Sequence, residues 1–119
     1  MYSERLLDHF QNPRNVGALD SPAITVEVSN PVCGDILRLS VRFEGPTATA
    51  ARYKVRGCTA SIAAGSALTE WIIGKTVAEL RELGASIVEG AVGGLIPESK
   101  HAAKLCVDGV QEVLKMLPS

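Results

Sequence analysis

Four polar side chains in this sequence could together hold a metal ion. Cys33 and Asp35 lie two residues apart in a turn whose central glycine would aim a thiolate and a carboxylate the same way. Cys58 precedes a helical pattern, where the positive end of the helix favours a thiolate. His101 falls in the first turn of the last predicted helix. Two sulfur donors and two harder donors suit four-coordinate Zn²⁺ or a [2Fe–2S] cluster.

The remaining candidates fit structural roles better. Cys106 lies within the apolar stripe of the last predicted helix, and His101 lies off that stripe, ~7.5 Å away along the axis. Metal–ligand bonds are about 2.0–2.3 Å, so we expect Cys106 to be a core residue. His9 has no nearby cysteine or carboxylate pattern, which favours a surface or interface histidine. Because the sequence has no CxxC signature, buried and inert thiols remain an alternative for Cys33 and Cys58.

Length and composition restrict the function classes. The 119 residues predict one domain, spanning 1–119. A formal charge of −1 and an aromatic content of 4% argue against nucleic acid and membrane as partners. The sequence has no signal-like or bilayer-length apolar run, which predicts a cytoplasmic protein. Three cysteines are too few for a disulfide framework.

The elements that position the four side chains follow from hydrophobic periodicity. A helix from Ser3 to Gln11 is predicted with Leu6, Leu7 and Phe10 inward. Period-two alternation then predicts three strands, and the later helical patterns run over 59–73, 77–83, 86–94 and 97–117. Strands followed by helices indicate an α+β fold, a three-stranded antiparallel sheet with helices packed on one face. The hairpin of strands two and three brings Cys33 and Cys58 to the same end of the sheet.

Four stretches in order resemble a known family, the iron–sulfur cluster assembly scaffolds IscU, SufU and the N-terminal domain of NifU. These stretches are Leu7-Asp8-His9-Phe10-Gln11-Asn12-Pro13-Arg14-Asn15-Val16-Gly17, Pro31-Val32-Cys33-Gly34-Asp35, Gly57-Cys58-Thr59-Ala60-Ser61 and Thr69-Glu70-Trp71-Ile72-Ile73-Gly74-Lys75. The resemblance implies a SufE/NifU-like fold and a scaffold that is not an enzyme. It also implies sulfur delivery by a cysteine desulfurase, a transient [2Fe–2S] cluster or Zn²⁺ in the same site, and transfer to acceptor apoproteins.

Carried over by the resemblance, the family site falls on Cys33, Asp35 and Cys58, and the family histidine falls on His101. Ala102 stands where the family has its third cysteine, which implies weaker cluster binding. The family also has a proline-rich chaperone-recognition stretch just before this position. The corresponding residues here match it poorly, which puts Hsp70-assisted release in doubt: Leu95-Ile96-Pro97-Glu98-Ser99-Lys100.

Two other functions remain open from the residues. One is a zinc-binding sulfur acceptor in which Cys33 or Cys58 carries a persulfide. The other is a thiol enzyme with Cys58 as nucleophile and His101 as base. The second lacks a recognisable oxyanion or substrate motif, so the scaffold hypothesis is preferred.

Overall fold

A three-stranded antiparallel sheet forms one layer of the computed structural model, which describes residues 2–31 and 34–118. The strands are β1 (Ile24–Asn30), β2 (Asp35–Glu44) and β3 (Thr47–Arg56), in the order β1-β2-β3. Leu37, Leu39 and Val41 point into the core from the central strand, as the period-two pattern predicts. The pairing of β2 with β3 is regular at the Asp35 end and shifts only between Arg42 and Phe43.

The second layer consists of helices on one face of that sheet, which confirms the predicted α+β architecture. The helices are α1 (Glu4–Gln11), α2 (Thr59–Ile72), α3 (Val77–Leu80), α4 (Ala85–Ala91) and α5 (Lys100–Lys115), with a 3₁₀ turn over Pro97–Ser99 before α5. α2 packs on β3, and α5 packs on β1 and β2. None of the helices in the described ranges is long and apolar enough to cross a membrane.

The helices predicted over 77–83 and 97–117 are both shorter in the structure. α3 begins after a capping box in which Thr76 accepts from the Glu79 amide and Glu79 accepts from the Thr76 amide, and it ends at Leu80 rather than Leu83. The last helix was predicted from Pro97, but its first turn is 3₁₀, a common form at helix N-termini. His101 is the second residue of α5, so its predicted place in the first turn is confirmed.

Close approach of α2 to the sheet depends on small residues. The helix is buried along Ala60, Ala63, Ala64 and Ala67, and Gly65 lies against the ring of Tyr53 in β3. A Cβ at Gly65 would lie 2.5 Å from two carbons of that ring. The small-residue pattern therefore sets how close the helix can sit to the sheet.

The orientation of α1 differs from the prediction. Leu6 is buried, but Leu7 and Phe10 are 38% and 37% exposed, and His9 is buried instead. Leu6 and His9 are three residues apart and therefore share the helix face that packs on α2. The expectation of a surface or interface histidine is wrong, because His9 Nδ1 lies 2.7 Å from Ser66 Oγ inside that contact.

Candidate metal centre

The end of the β2–β3 hairpin brings two of the candidate side chains together. Ile36 pairs with Arg56 across the two strands, so Asp35, one residue before Ile36, lies beside the chain that leaves β3 toward Cys58. Asp35 is buried, with 4% of its surface exposed. The distance from Cys58 Sγ to Asp35 Oδ2 is 3.6 Å. The hairpin geometry thus places Asp35 and Cys58 at the same end of the sheet.

Cys58 and His101 both lie at helix N-termini. Cys58 is the N-cap residue of α2, and its side chain forms no capping hydrogen bond to the helix. His101, in the first turn of α5, directs Nε2 to within 3.2 Å of Asp35 Oδ2 and 3.5 Å of Cys58 Sγ. The ligand atoms of Asp35, Cys58 and His101 therefore converge on one point from three separate elements.

Gly57 makes room for the carboxylate. A Cβ at this position would lie 2.6 Å from both Cγ and Oδ1 of Asp35, a separation that real Cβ atoms do not adopt. Oδ1 therefore lies against the backbone of Gly57, and Oδ2 faces Cys58 and His101. Glycine before Cys58 is required by this close approach.

Ser61 belongs to the same group, although it is not among the candidates predicted from the sequence. Its hydroxyl donates a 2.5 Å hydrogen bond to Asp35 Oδ2 and lies 3.4 Å from Cys58 Sγ, and the residue is 1% exposed. Ser61 follows Cys58 by three residues, so the two share one face of α2. The spacing Cys-x-x-Ser at a helix start was the signal that could have identified it.

The distances between the three ligand atoms fit a single tetrahedral ion. Zn–N and Zn–O bonds near 2.1 Å and Zn–S bonds near 2.3 Å put neighbouring ligands about 3.4–3.6 Å apart. The observed separations are 3.2 Å for nitrogen to oxygen, 3.5 Å for sulfur to nitrogen and 3.6 Å for sulfur to oxygen. This donor set of thiolate, imidazole and carboxylate could hold Zn²⁺ or iron and would leave one position for a further ligand.

Of the other two cysteines, only Cys106 can be described. Cys33, the fourth candidate ligand from the sequence, lies outside the described residues. Cys106 is 1% exposed and belongs to the hydrophobic core of α5, and this burial raises the pKa of its thiol to about 12. A protonated thiol in an apolar environment is a poor ligand and a poor nucleophile, in keeping with the core role predicted for Cys106.

Sequence comparison connects this geometry to known proteins. Residues 1–119 match the family described as the NifU-like N terminal domain. The chain is 35% identical over 114 residues to the iron-sulfur cluster assembly scaffold protein IscU 1 of Archaeoglobus fulgidus, and the match covers 96% of this chain and 74% of that protein. It is 34% identical over 117 residues to the IscU scaffold protein of Rickettsia prowazekii, covering 95% and 88% of the two chains.

Solved structures share the same fold. A crystal structure of a hypothetical protein superposes with a TM-score of 0.70 at 28% identity, covering 93% of this chain and 94% of that one. The N-terminal part of a NifU-like protein from Brucella abortus superposes with a TM-score of 0.65 at 23% identity, covering 92% and 77%. At that identity the second similarity establishes the fold alone.

Proposed function

Because the chain belongs to the NifU-like N-terminal domain family, we propose that it is an iron–sulfur cluster assembly scaffold that holds its cargo at Cys33, Asp35, Cys58 and His101. In this proposal residues 1–119 act as one scaffold domain. The relatives named as IscU scaffolds match nearly the whole chain, which supports the same role here.

The observation that carries the proposal is the convergence of Asp35, Cys58 and His101. A thiolate, a carboxylate and an imidazole within 3.2–3.6 Å of one another have the separations that a shared ion requires. The carboxylate is a hard ligand beside a soft thiolate, so the site should exchange iron more readily than a site of four cysteines. Ready exchange is what a transient carrier needs.

The cargo in this proposal is a [2Fe–2S] cluster, with Zn²⁺ as an alternative occupant. Sulfur would come from a cysteine desulfurase, and acceptor apoproteins would receive the cluster. Ala102 stands where the resemblance implies a third cysteine, and it is fully buried. With two thiolates rather than three, the cluster should be held less firmly than in a three-cysteine relative.

A second candidate is a zinc-binding persulfide acceptor, favoured by the fit of the three ligand atoms to one tetrahedral ion. In that case the thiolate of Cys33 or Cys58 attacks the outer sulfur of a desulfurase persulfide. The attack forms a new S–S bond and releases the desulfurase cysteine as a thiolate. A thiol enzyme is disfavoured because Nε2 of His101 faces both Cys58 and Asp35, whereas a catalytic triad uses one ring nitrogen for each partner.

The test is anaerobic purification and cluster reconstitution with iron, sulfide and a cysteine desulfurase. Iron, acid-labile sulfide and visible absorption are then measured on the wild type and on Cys58→Ala, His101→Ala and Cys106→Ala. We expect iron with sulfide in the wild type, its loss in the Cys58 and His101 variants, and retention in Cys106→Ala.

Other results would favour a different function or a different set of ligands. Stoichiometric zinc without sulfide would favour the persulfide acceptor. Equal losses in all three variants would make Cys106 a ligand. A wild type that binds neither metal under any of these conditions would overturn both metal-based functions.

A further inference from the structure

The solvent-facing side of the sheet is positively charged although the whole chain carries −1. Arg38 and Arg42 on β2 and Arg52, Lys54 and Arg56 on β3 occupy alternate positions, opposite the core-facing residues of the same strands. All except the half-buried Arg42 are exposed. We call these five residues the outer cationic face.

Little negative charge balances this face. Arg38 pairs with Glu27 on β1 at 3.2 Å. The other four cations form no ion pair with any residue in the described ranges. Glu44 is the last residue of β2, at the end of the strand opposite to Asp35 and past the register shift that follows Arg42. Four uncompensated cations on two adjacent strands produce a positive potential that attracts an anionic partner.

The face also has a depression beside the candidate metal centre. The depression has a volume of about 310 Å³ and is lined by Glu27, Ile36, Arg38, Lys54, Val55 and Arg56. Arg56 pairs with Ile36, the neighbour of Asp35, and is followed directly by Gly57 and Cys58. A molecule bound in the depression would therefore lie at the same end of the hairpin as the cargo ligands.

We propose that the outer cationic face docks an acidic segment of a protein that exchanges cargo with the candidate centre. This inference rests on the proposed scaffold function, and it adds the chemistry of the partner and the surface that it uses. Cargo exchange requires another protein to approach Cys58, and a partner docked in the depression would lie at the end of the hairpin from which the chain leads to Cys58. Among the residues that the structure describes, no aromatic side chain lines the depression, and the β3 cations span only about 13 Å. Both features disfavour a nucleic-acid strand, which would need base stacking and a longer row of cations.

The experiment measures binding of a fluorescent peptide of alternating glutamate and serine to the metal-free protein, by anisotropy and by amide chemical shifts. The face variant is Arg52→Gln/Lys54→Gln/Arg56→Gln. Its control is Arg81→Gln/Lys104→Gln/Lys115→Gln, which removes the same charge from exposed positions outside the sheet. We expect peptide affinity to fall about tenfold in the face variant and to stay near wild type in the control, with shifts confined to β2 and β3.

Three outcomes would overturn the proposal: equal weakening in both variants, shifts located away from the sheet, or tighter binding of a single-stranded oligonucleotide of matched charge at the same salt concentration. Zinc affinity is measured in parallel and should be unchanged in both variants. Peptide binding needs no cargo, so loss of the docking result would leave the scaffold function intact. Failure of cluster assembly would not affect the peptide-binding result, because that result is measured on the metal-free protein.

Discussion

Asp35 Oδ2 is the atom at which the contacts of the candidate centre meet. The Ser61 hydroxyl, His101 Nε2 and Cys58 Sγ all lie within 3.6 Å of it. An incoming cation would compete with protons on the imidazole and the thiol, because both groups must be deprotonated to bind metal. The Ser61 hydroxyl can keep its proton and still donate to the carboxylate, so Ser61 can orient Asp35 in both the empty and the loaded site.

Removing the Ser61 hydroxyl should weaken metal binding without removing a ligand. For Ser61→Ala we expect zinc affinity to fall about tenfold, since loss of a hydrogen bond to a ligand typically costs 10–100-fold. Affinity is measured by competition with a chromophoric chelator. Ser66→Ala is the control, because Ser66 is an equally buried serine of α2 whose hydroxyl contacts His9 rather than Asp35. Equal losses of affinity in the two variants would mean that the effect is general destabilisation.

Gly57 offers a second test of how Asp35 is held. In Gly57→Ala the new methyl group would overlap the Asp35 carboxylate, so we expect zinc affinity to fall at least tenfold as the carboxylate is displaced. Gly90→Ala is the control, because a Cβ there meets nothing within 4 Å and alanine favours the helix by roughly 0.5–1 kcal/mol. Wild-type zinc affinity in Gly57→Ala would contradict a fixed Asp35.

At the scale of elements, much of the fold could be predicted from sequence. Alternation located all three strands, and the turn at Gly45 closed the hairpin that brings Asp35 to Cys58. The orientation of α1 could not be predicted, because Leu6 lies at one edge of the roughly 100° arc that it forms with Phe10 and Leu7, so the helix could bury Leu6 together with these two residues or together with His9 on its other side. Packing against α2 selects the arrangement with His9, because His9 forms a hydrogen bond with the Ser66 hydroxyl of α2. The two residues are 57 positions apart in the sequence.

The contact between α2 and β3 should be intolerant of added volume. For Gly65→Ala we expect a loss of about 1–3 kcal/mol in the free energy of unfolding, as the methyl group meets the buried Tyr53 ring. The ring cannot easily move, because its hydroxyl donates to the carbonyl of Ile62 at 2.8 Å. Urea denaturation measures the change. A gain in stability, as expected from helix propensity alone, would show that the ring can yield.

At the scale of the whole molecule, His9 ties the N-terminal helix to the rest of the chain. Arg14 Nη1 lies 3.1 Å from His9 Nδ1, and a guanidinium can only donate, so Nδ1 is the acceptor and the ring is neutral. Burial, followed by the charge of Arg14, lowers the pKa of His9 below 6.5. The folded state therefore prefers the unprotonated ring.

This preference makes stability depend on pH. Below pH 6.5 the unfolded chain binds a proton at His9 more readily than the folded chain does, so the free energy of unfolding should fall as the pH drops from 7.5 toward 5. Urea denaturation across this range measures the slope. In His9→Gln the slope should be smaller, because the titrating ring is gone and only the other groups remain. An unchanged slope would assign the pH dependence to a different residue.

The three described ligand residues lie far apart along the chain, Cys58 being 23 residues from Asp35 and 43 from His101. An unfolded chain cannot present these donors together, so an ion bound among them stabilises the folded state alone. At one hundred times its dissociation constant, such an ion would add about 2.7 kcal/mol to the free energy of unfolding. Proteases cleave opened chains in proportion to how often the chain opens. The empty scaffold would therefore be degraded faster than the loaded one, and the amount of cargo would set how long each molecule survives.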